Sequence, residues 1–409
     1  MKTIADLHIH SKYARATSSN CDLEGLSHWA KIKGIGIVST GDITHPTWFN
    51  ELKAKLSNSE TGLYNYKDTL FCLGGEVSLI YNIQESTKKM HIALLFPSFE
   101  IASQFNDEIK KFGNLKEDGR PMLHIQPSEF ADIVKNSSKN SFIMLAHVWT
   151  PWFSIFGSKS GVNSIEEAFG DRSNSIDGLE TGLSSDPKMN WMLSSLDNYP
   201  LLSNSDAHSP QKLGREANLF DLKELTYQAL TNAIKTKKGF LKTYEFYPEE
   251  GKYHFDGHRN CNVLLSPEES EKINNLCPVC RKKLTIGVMH RIFDLADRKE
   301  GQKPKNAVPF SYLVPLTILL SKVLKKGENT LSVQEEYFKL TRYFGSEFNV
   351  YESSFEELKK ITSLEIAKAI DKVNKGNIYW IPGYDGVFGE LQFEKTTKQI
   401  KNQKNLLDY

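Results

Sequence analysis

Short apolar runs alternate with amphipathic helical repeats over about the first 245 residues. The apolar runs lie at 35–40, 70–73, 91–96 and 142–146, and a helical repeat spans Leu23–Lys33. The segment from Asp221 to Lys238, followed by Gly239, also has the pattern of an amphipathic helix with an Asp start and a Gly stop. Alternation of this kind is typical of βα units that form a largely parallel sheet or barrel. We therefore predict an α/β fold for residues 1–245.

The remainder of the chain has a different pattern. Residues 253–297 contain three of the five cysteines together with several histidines, and residues 305–409 show mainly helical periodicity. The stretch from Tyr244 to Gly251 contains Pro248 and two acidic residues, which is typical of a linker. We predict three domains: residues 1–245, a small Cys/His module at 250–300, and a mainly helical domain at 301–409.

The first strand carries polar residues on one face. From Ile4 to His10 apolar and polar residues alternate, so an extended strand places Asp6, His8 and His10 together. Imidazoles and carboxylates are poor material for a hydrophobic core, whereas they are usual ligands of zinc and manganese. The pattern indicates the start of a metal site, although two histidines at this spacing also occur on ordinary surface strands.

Further candidate ligands lie at the ends of the later apolar runs. In a parallel α/β barrel the carboxyl ends of the strands meet at one rim, where their side chains converge. His91 starts its run instead of ending it, so this argument alone does not place it at the rim. The nine candidates come from six strand-like runs and are His8, His10, Asp42, His45, Glu76, His91, His147, Asp206 and His208.

Composition narrows the classes of function. Of 409 residues, 39% are hydrophobic and 25% are charged, with a net charge of +1 and a mean hydropathy of −0.43, which is typical of a globular protein. The apolar runs are shorter than the roughly 20 residues that a membrane span needs. Five cysteines do not make a disulfide framework. We expect a cytoplasmic protein without a membrane partner, in which any nucleic-acid contact uses a local basic surface.

The order of these motifs resembles the polymerase and histidinol phosphatase (PHP) family of phosphoesterases. The matching elements lie in about the first 240 residues and are Asp6–His10, Gly41-Asp42, Glu76, His91, His147 and Asp206-Ala207-His208. The resemblance implies a distorted (β/α)7 barrel with two or three divalent metals, either zinc, manganese or magnesium, at the strand ends. Two adjacent cations suit phosphodiester hydrolysis, since they activate water and neutralise charge without a Ser or Cys nucleophile.

The same resemblance assigns the ligands residue by residue. One metal would be held by His8, His10, Glu76 and Asp206. Glu76 would bridge to a second metal with His91 and His147, and a third would take His208 with Asp42 or His45. The residues in catalytic roles would be Glu76, Asp206, His208 and His147.

A second ligand motif lies in the Cys/His module. His258-x2-Cys261 is followed, after fifteen residues, by Cys277-x2-Cys280. Two such knuckles supply four ligands at a spacing typical of a tetrahedral structural Zn²⁺. His254 and His290 are alternatives for the histidine ligand, and three reduced cysteines that merely pack in a core are the alternative to a metal site.

Several side chains are candidates for contact with DNA. The aromatic loop after His147 would stack on bases, or it would fill the loop as a hydrophobic plug. The basic run from Arg281 forms either a phosphate-contacting surface or a solvated helix face. The candidates are Trp149, Trp152, Arg281, Lys282, Arg291 and Tyr384.

Nearly the whole chain resembles the endonuclease Q family. The elements that carry this resemblance are Gly41–Pro46, His147–Gly161, Asp256–Arg259, Gly287–Arg291 and Pro382–Gly386. It implies a metal-dependent DNA repair endonuclease that recognises uracil, hypoxanthine, xanthine and abasic sites. Such an enzyme would extrude the damaged nucleotide and hydrolyse the phosphodiester 5′ to it, leaving 3′-hydroxyl and 5′-phosphate ends.

Two other functions stay open from the residues alone. The first is a small-molecule phosphatase of the histidinol-phosphatase type, and the second is a non-catalytic DNA-binding scaffold. The segment Gln403–Tyr409 has the Gln-x2-Leu-x2-aromatic spacing of tails that bind a sliding clamp, but it carries one of the usual two aromatics, and a frayed polar end is the better explanation.

Overall fold

The computed structural model describes residues 1–57 and 60–395, which form two compact units. The first unit combines Met1–Glu245 with Leu295–Ser311. The second combines Phe246–Asp294 with the described residues from Tyr312 onward. Residues 295–311 thus belong to the first unit although they follow the Cys/His segment in the chain. The three predicted domain boundaries stay predictions.

The described strands and helices follow the predicted alternation closely in the first unit. Each of the four apolar runs contains or overlaps a strand, and the strands are β1 (Lys2–Asp6), β2 (Ile37–Ser39), β3 (Leu63–Tyr66), β4 (Thr69–Ile83), β5 (Ser86–Phe96), β6 (Met122–His124), β7 (Phe142–Leu145), β8 (Gly178–Glu180), β9 (Leu201–Leu202), β10 (Ala217–Asp221), β11 (Phe240–Glu245), β12 (Asp256–His258), β13 (Val263–Leu265), β14 (Phe310–Tyr312), β15 (Tyr379–Ile381) and β16 (Glu390–Gln392). The α-helices are α1 (Leu23–Lys33), α2 (Pro46–Lys55), α3 (Phe99–Ile109), α4 (Pro127–Ser137), α5 (Ile165–Phe169), α6 (Pro187–Asn190), α7 (Tyr227–Thr236), α8 (Pro267–Glu271), α9 (Val288–Leu295), α10 (Leu316–Leu324), α11 (Leu331–Phe344), α12 (Glu347–Glu352), α13 (Phe355–Ile361) and α14 (Leu364–Asn374).

Seven strands of the large sheet form a barrel that closes at one rim. The sheet order is β14-β11-β10-β1-β2-β4-β5-β7-β8-β9, and β3 and β6 attach to β4. Ile9, which follows β1, forms a parallel bridge with Ala207, which follows β9. At this seam the His10 N–H donates to the Ala207 carbonyl at 3.0 Å, and the Asp206 N–H donates to the His8 carbonyl at 2.9 Å. The predicted α/β barrel is confirmed, and the backbones of three candidate ligands, His8, His10 and Asp206, take part in its closing seam.

The strand β5 runs against its neighbours. The pairs β1–β2, β2–β4, β7–β8 and β8–β9 are parallel, whereas β5 is antiparallel to both β4 and β7. The N-terminal half of β5 therefore lies at the rim where the neighbouring strands end. This reversal explains how His91, which begins its apolar run, reaches the same rim as Glu76.

The helix α1 shows how local signals set its ends. The Asp22 side chain accepts a hydrogen bond from the Gly25 N–H, which satisfies one of the free donors of the first turn. The helix ends at Gly34, whose φ of 88° lies in the left-handed region that glycine adopts without steric cost. The predicted helix over Leu23–Lys33 is confirmed.

The predicted start of the helix at Asp221 is wrong. Asp221 is the last residue of β10 and pairs with Lys2 of β1. The helix α7 begins six residues later, where the Thr226 side chain accepts from the Ala229 N–H. Its apolar face, with Tyr227, packs into the core formed by β1, β7, β10 and β11. Strand pairing with a distant segment thus outweighs the local Asp start signal.

The second unit contains two small hairpins and a helical region. β12 pairs antiparallel with β13, and β15 with β16. The helix α13 begins with a capping box, in which the Ser354 and Glu357 side chains each accept from the other residue's backbone N–H. The predicted helical C-terminal region is confirmed within the described residues, whereas Gln403–Tyr409 lies outside them. None of the described helices combines the length and the apolar character needed to cross a lipid bilayer.

Glu245 is fully buried at the end of β11. The Thr181 hydroxyl donates to its Oε2 at 2.8 Å, and the Thr243 hydroxyl donates to its Oε1. Burial outweighs these hydrogen bonds and raises the pKa of the Glu245 carboxyl to about 8. In the folded chain this carboxyl is therefore protonated at neutral pH, whereas in the unfolded chain it ionises near its ordinary pKa of 4.5.

We expect Glu245→Gln to flatten the pH dependence of stability. With Glu245, stability is full below about pH 4.5 and falls as the pH rises toward 8, since the unfolded chain releases a proton that the folded chain keeps. The neutral amide removes this loss, which is a few kcal/mol at roughly 1.4 kcal/mol per pKa unit. Urea unfolding between pH 5 and 8 measures the difference, with the exposed Glu224→Gln as the control. Parallel pH profiles for both variants and the wild-type chain contradict the prediction.

Candidate metal centre

The Glu76 carboxylate lies at the centre of a cluster of imidazoles at the barrel rim. Its Oε1 is 2.9 Å from His91 Nδ1, 3.2 Å from His147 Nε2 and 3.6 Å from His8 Nε2. Its Oε2 is 3.2 Å from His10 Nε2. The two oxygens of one buried side chain thus face different imidazoles.

Candidate ligands form three overlapping groups, in each of which the ligand atoms lie within 4.8 Å of one another. The groups are His8, His10 and Glu76; Glu76, His91 and His147; and His10, Asp206 and His208. The first two groups share Glu76, and the first and third share His10. The structure therefore brings seven of the nine predicted ligands into one continuous cluster, although their ligand roles stay predictions.

The donor atoms of this cluster fit a divalent metal. His8 Nε2, His10 Nε2, Glu76 Oε1 and Asp206 Oδ1 are buried and make no hydrogen bond to the described residues. Buried polar atoms without partners are costly. Imidazole nitrogens and carboxylate oxygens that face a common point are the ligand set of zinc and manganese.

Hydrogen bonds on the outer side orient the imidazoles. His8 Nδ1 is 3.0 Å from both carboxylate oxygens of Glu180, and His10 Nδ1 is 2.9 Å from Asp42 Oδ1. When each Nδ1–H donates to its carboxylate, the Nε2 lone pair is left to face the cluster. Such support fixes the tautomer and makes the imidazole a better ligand.

Asp42 and His45 are not placed among the ligands. Asp42 lies behind His10, where its Oδ2 accepts from the backbone N–H and the hydroxyl of Ser11, each at 2.6 Å. The His45 side chain caps α2 by accepting from the Trp48 N–H, and its ring stacks on Tyr13 at a centroid distance of 4.5 Å. In the part of the chain that the structure describes, neither belongs to a group of converging ligand atoms. The placement of both favours a supporting role.

Two residues of the site escaped the sequence analysis. Glu180 ends the three-residue strand β8, which is too short to give a periodic signal, and Arg120 lies in the loop between α3 and β6. Glu180 also accepts from the His147 N–H at 2.8 Å and from Asn204 Nδ2 at 2.9 Å. A polar residue at the end of a short buried strand was the available signal for Glu180, and Arg120 had none.

The backbone is strained at two residues of the cluster and at Asp42 behind it. Asp42, His147 and Asp206 have φ values of 48°, 30° and 46°, in the left-handed region that side chains with a Cβ disfavour. Such conformations cost on the order of 1–3 kcal/mol each and persist only where the surroundings impose them. Their concentration here is typical of a functional site.

The charges in the cluster compensate one another. Burial opposes ionisation of Glu76, but the neighbouring imidazoles and Arg120 outweigh it and hold its pKa well below the usual range. Burial likewise opposes protonation of His8 and His10, yet their carboxylate partners raise both pKa values well above normal. For His91, burial dominates and lowers the pKa to about 4, so this imidazole is neutral at pH 7.

We expect Glu180→Gln to weaken metal binding without unfolding the barrel. The amide keeps the shape of Glu180 but loses the charge that holds His8 Nδ1–H, and losses of such supporting groups cost about 10–100-fold in metal affinity. Competition with a chelator, read by elemental analysis of the protein, measures the change. The exposed Glu166→Gln, on α5, is the matched control, and equal metal affinity of the two variants contradicts this role for Glu180.

The second unit contains a separate group of four possible ligands. The ligand atoms of His258, Cys261, Cys277 and Cys280 lie within 4.8 Å of one another. Burial opposes ionisation of Cys277, but the nearby backbone N–H groups of Cys280 and Val279 outweigh it and lower the pKa of this thiol to about 6. A thiolate held by the amides of its own turn suits a tetrahedral Zn²⁺.

The two alternative histidines lie elsewhere. His290 Nδ1 is 2.5 Å from Asp256 Oδ2, and His254 is buried with its ring stacked on Phe255. The four-residue set therefore coincides with the set that the spacing predicted, and its zinc-binding role stays a prediction.

Replacing Cys277 with Ser is expected to remove the zinc and destabilise the module, because a structural zinc contributes folding free energy. Elemental analysis and thermal unfolding of the full chain measure both effects. Val279→Ser, at an exposed position in the same turn, provides the control. Full zinc content in Cys277→Ser is incompatible with the assignment.

The predicted DNA-contacting residues differ in exposure. Trp149 is buried and its Nε1–H donates to Asn190 Oδ1 at 2.8 Å, so it is a core residue and is not available for stacking on bases. Trp152 is 50% exposed. Arg281 and Lys282 are exposed, and the other two candidates, Arg291 and Tyr384, are partly buried. Trp152, Arg281 and Lys282 therefore have the exposure that a contact with DNA requires.

Comparison with known proteins agrees with this geometry. The PHP-associated family model matches residues 194–238, and the model of the MJ0043 C-terminal domain matches residues 315–377. The crystal structure of the lesion-specific endonuclease PfuEndoQ from Pyrococcus furiosus superposes with a TM-score of 0.87. It is 30% identical to this chain, over 98% of this chain and 99% of that one. The chain belongs to the endonuclease Q family. The predicted resemblance to this family is confirmed.

Two further relatives extend the comparison. The crystal structure of endonuclease Q in complex with a 27-mer duplex substrate, with an abasic lesion at the active site, superposes with a TM-score of 0.85. Its sequence identity is 31%, and the match covers 97% of both chains. An uncharacterized protein of Methanocaldococcus jannaschii is 32% identical over 272 residues, which are 64% of this chain. The match covers 34% of that protein, so the chain spans about a third of its length.

Proposed function

We propose that this chain is a metal-dependent endodeoxyribonuclease that cuts DNA at damaged nucleotides. Its substrates are DNA strands with uracil, hypoxanthine, xanthine or an abasic site. It hydrolyses the phosphodiester 5′ to the lesion and leaves 3′-hydroxyl and 5′-phosphate ends. The observation that carries the proposal is the Glu76 cluster, in a family with a member crystallised on a duplex with an abasic lesion at the active site.

The overlap of the three groups supports the ligand assignment. His8, His10, Glu76 and Asp206 would hold one divalent cation, and Glu76, His91 and His147 would hold a second. His208, whose Nδ1 is hydrogen-bonded to the Asp206 carbonyl at 2.9 Å, would hold a third together with Asp206. Zinc, manganese or magnesium, when bound, supplies an activated water and neutralises charge on the phosphate.

The residues of the chain position the reaction. Glu180 and Asp42 hold the His8 and His10 rings, so that their Nε2 atoms point at Glu76. Ser154 Oγ lies 3.1 Å from His147 Nδ1 and does the same for that ring. Because a lesion inside a duplex hides its base edge, recognition requires that the nucleotide leave the stack. Trp152 lies between His147 and Ser154 in the chain and is half exposed, so it is suited to stack on a neighbouring base.

A small-molecule phosphatase of the histidinol-phosphatase type is the second candidate, and a non-catalytic scaffold that binds DNA is the third. The phosphatase would release inorganic phosphate from monoesters and leave a lesion-containing oligonucleotide intact. The scaffold would bind the oligonucleotide without cutting it. Both assays on the same metal-loaded preparation separate the three functions.

We expect Glu76→Gln and Asp206→Asn to abolish nicking of oligonucleotides that contain uracil, hypoxanthine or an abasic site. Each change removes a charged ligand, so the loss should exceed the roughly 10–100-fold cost of losing a supporting residue. The fold should survive, because neither side chain packs in the apolar core. Gel analysis of the cut ends measures both the rate and the 3′-hydroxyl and 5′-phosphate termini.

The exposed Asp107→Asn is the control and should cut at the wild-type rate. An undamaged oligonucleotide of the same sequence tests lesion dependence. Undiminished nicking by both ligand variants would show that a different site cuts the DNA.

A further inference from the structure

Besides the imidazoles, the Arg120 side chain also contacts the Glu76 carboxylate of the ligand cluster. Its Nη1 donates to Glu76 Oε2 at 3.1 Å, and 25% of its side chain surface is exposed. In the described part of the chain its guanidinium makes this one hydrogen bond. A cation that contacts the central carboxylate and also reaches solvent lies where a substrate would approach.

We propose that Arg120 binds a non-bridging oxygen of the scissile phosphate at this centre. The proposal rests on the proposed endonuclease function, which it deepens by naming a residue that contacts the substrate.

The loop that carries Arg120 is built to hold it in place. The Gly119 N–H donates to the Tyr13 carbonyl at 3.0 Å, and the Thr44 hydroxyl donates to the Gly119 carbonyl at 3.4 Å. A Cβ on Gly119 would lie 2.4 Å from Asp42 Oδ2, so only glycine lets the loop backbone approach that carboxylate. The residue before Arg120 is therefore packed directly against the group that orients His10.

A second set of contacts fixes the rest of the loop. The His45 imidazole lies close to the backbone of Lys116. Asp118 Oδ1 accepts from the backbone N–H of Arg120 at 3.1 Å and from that of Arg15 at 3.2 Å. Asp118 thus anchors the loop that carries Arg120, and His45, which the sequence suggested as a ligand, borders that loop.

The chemistry of arginine suits a phosphate at this position. A guanidinium stays charged at all physiological pH values and has five N–H donors in a planar fork that matches a phosphate. One donor contacts Glu76, and the others remain for an anion. Once Glu76 serves as a metal ligand its charge is shared, and the positive charge of Arg120 is left to attract the negatively charged diester.

A purely supporting role, in which Arg120 only orients Glu76, predicts different behaviour. Support of a ligand changes metal affinity, whereas contact with the substrate changes the affinity for phosphate at constant metal content. The two roles are therefore separable by measuring both quantities on the same preparation.

The test uses the full chain loaded with Mn²⁺, in the wild-type form and as Arg120→Gln, Arg120→Lys and Arg172→Gln. Arg172 is the matched control, because its guanidinium also pairs with a carboxylate, that of Asp132, but is 48% exposed and, within the described residues, makes no hydrogen bond or ion pair with the loop that carries Arg120. Elemental analysis gives the metal content, calorimetric titration with inorganic phosphate gives the anion affinity, and nicking of an abasic oligonucleotide gives kcat and KM.

For Arg120→Gln we expect unchanged metal content, a phosphate affinity lower by about 10–100-fold and a kcat lower by about 100-fold. Arg120→Lys should be intermediate, since it keeps the charge but loses the fork, and Arg172→Gln should match the wild type. An unchanged phosphate affinity in Arg120→Gln overturns the proposal, whether or not its metal content falls. If the wild-type chain leaves lesion DNA intact while Arg120→Gln still loses phosphate, the anion site stands and the endonuclease function fails.

Discussion

A single buried carboxylate, that of Glu76, is the group at which distant segments of the first unit meet. An ionised carboxylate inside a protein costs several kcal/mol unless opposite charges and hydrogen bonds compensate it. The compensation comes from His8 and His10 after β1, from His91 in β5 and from His147 after β7, together with Arg120 from a loop. Distant parts of the chain must therefore meet at one rim. The reversed β5 and the seam between Ile9 and Ala207 are the features of the barrel that make this possible.

General rules of barrel geometry were enough to find most of the cluster from the sequence. Polar residues at the ends of apolar runs meet at one rim, and this predicts the proximity of His8, Glu76 and His147 without any coordinates. This rule predicts which residues lie at the rim, but it does not predict how far each side chain lies from the centre of the cluster. Asp42 follows β2 at the correct level, yet it faces the outer nitrogen of His10. Whether a carboxylate touches a metal or orients a ligand depends on a shift of one side chain, and chain order does not contain that information.

The other differences between the sequence predictions and the structure arise from contacts between segments that are distant in the chain. The predicted helix start at Asp221 is wrong because Asp221 belongs to β10 and pairs with Lys2 of β1. Trp149 was a candidate for base stacking, but a hydrogen bond to Asn190, 41 residues away, fixes it in the core. Arg120 has no local pattern at all, since a single arginine in a turn-rich loop is ordinary. By contrast, the His258 to Cys280 motif was predictable, because the ligand spacing within each knuckle is set by one tight turn.

Protons and the proposed metal ions would compete for the same nitrogens of this centre. Burial lowers the pKa values of His8 and His10, but the carboxylates, Glu180 and Asp42 foremost, outweigh it and raise both, so a metal ion would have to displace the proton from each Nε2. The same carboxylates make these nitrogens stronger ligands once deprotonated. Metal affinity should therefore increase with pH while the orientation of the rings stays fixed by their Nδ1 hydrogen bonds. The strained backbone at Asp42, His147 and Asp206 also holds the site in place before a cation binds. Little free energy is then lost to reorganisation on binding.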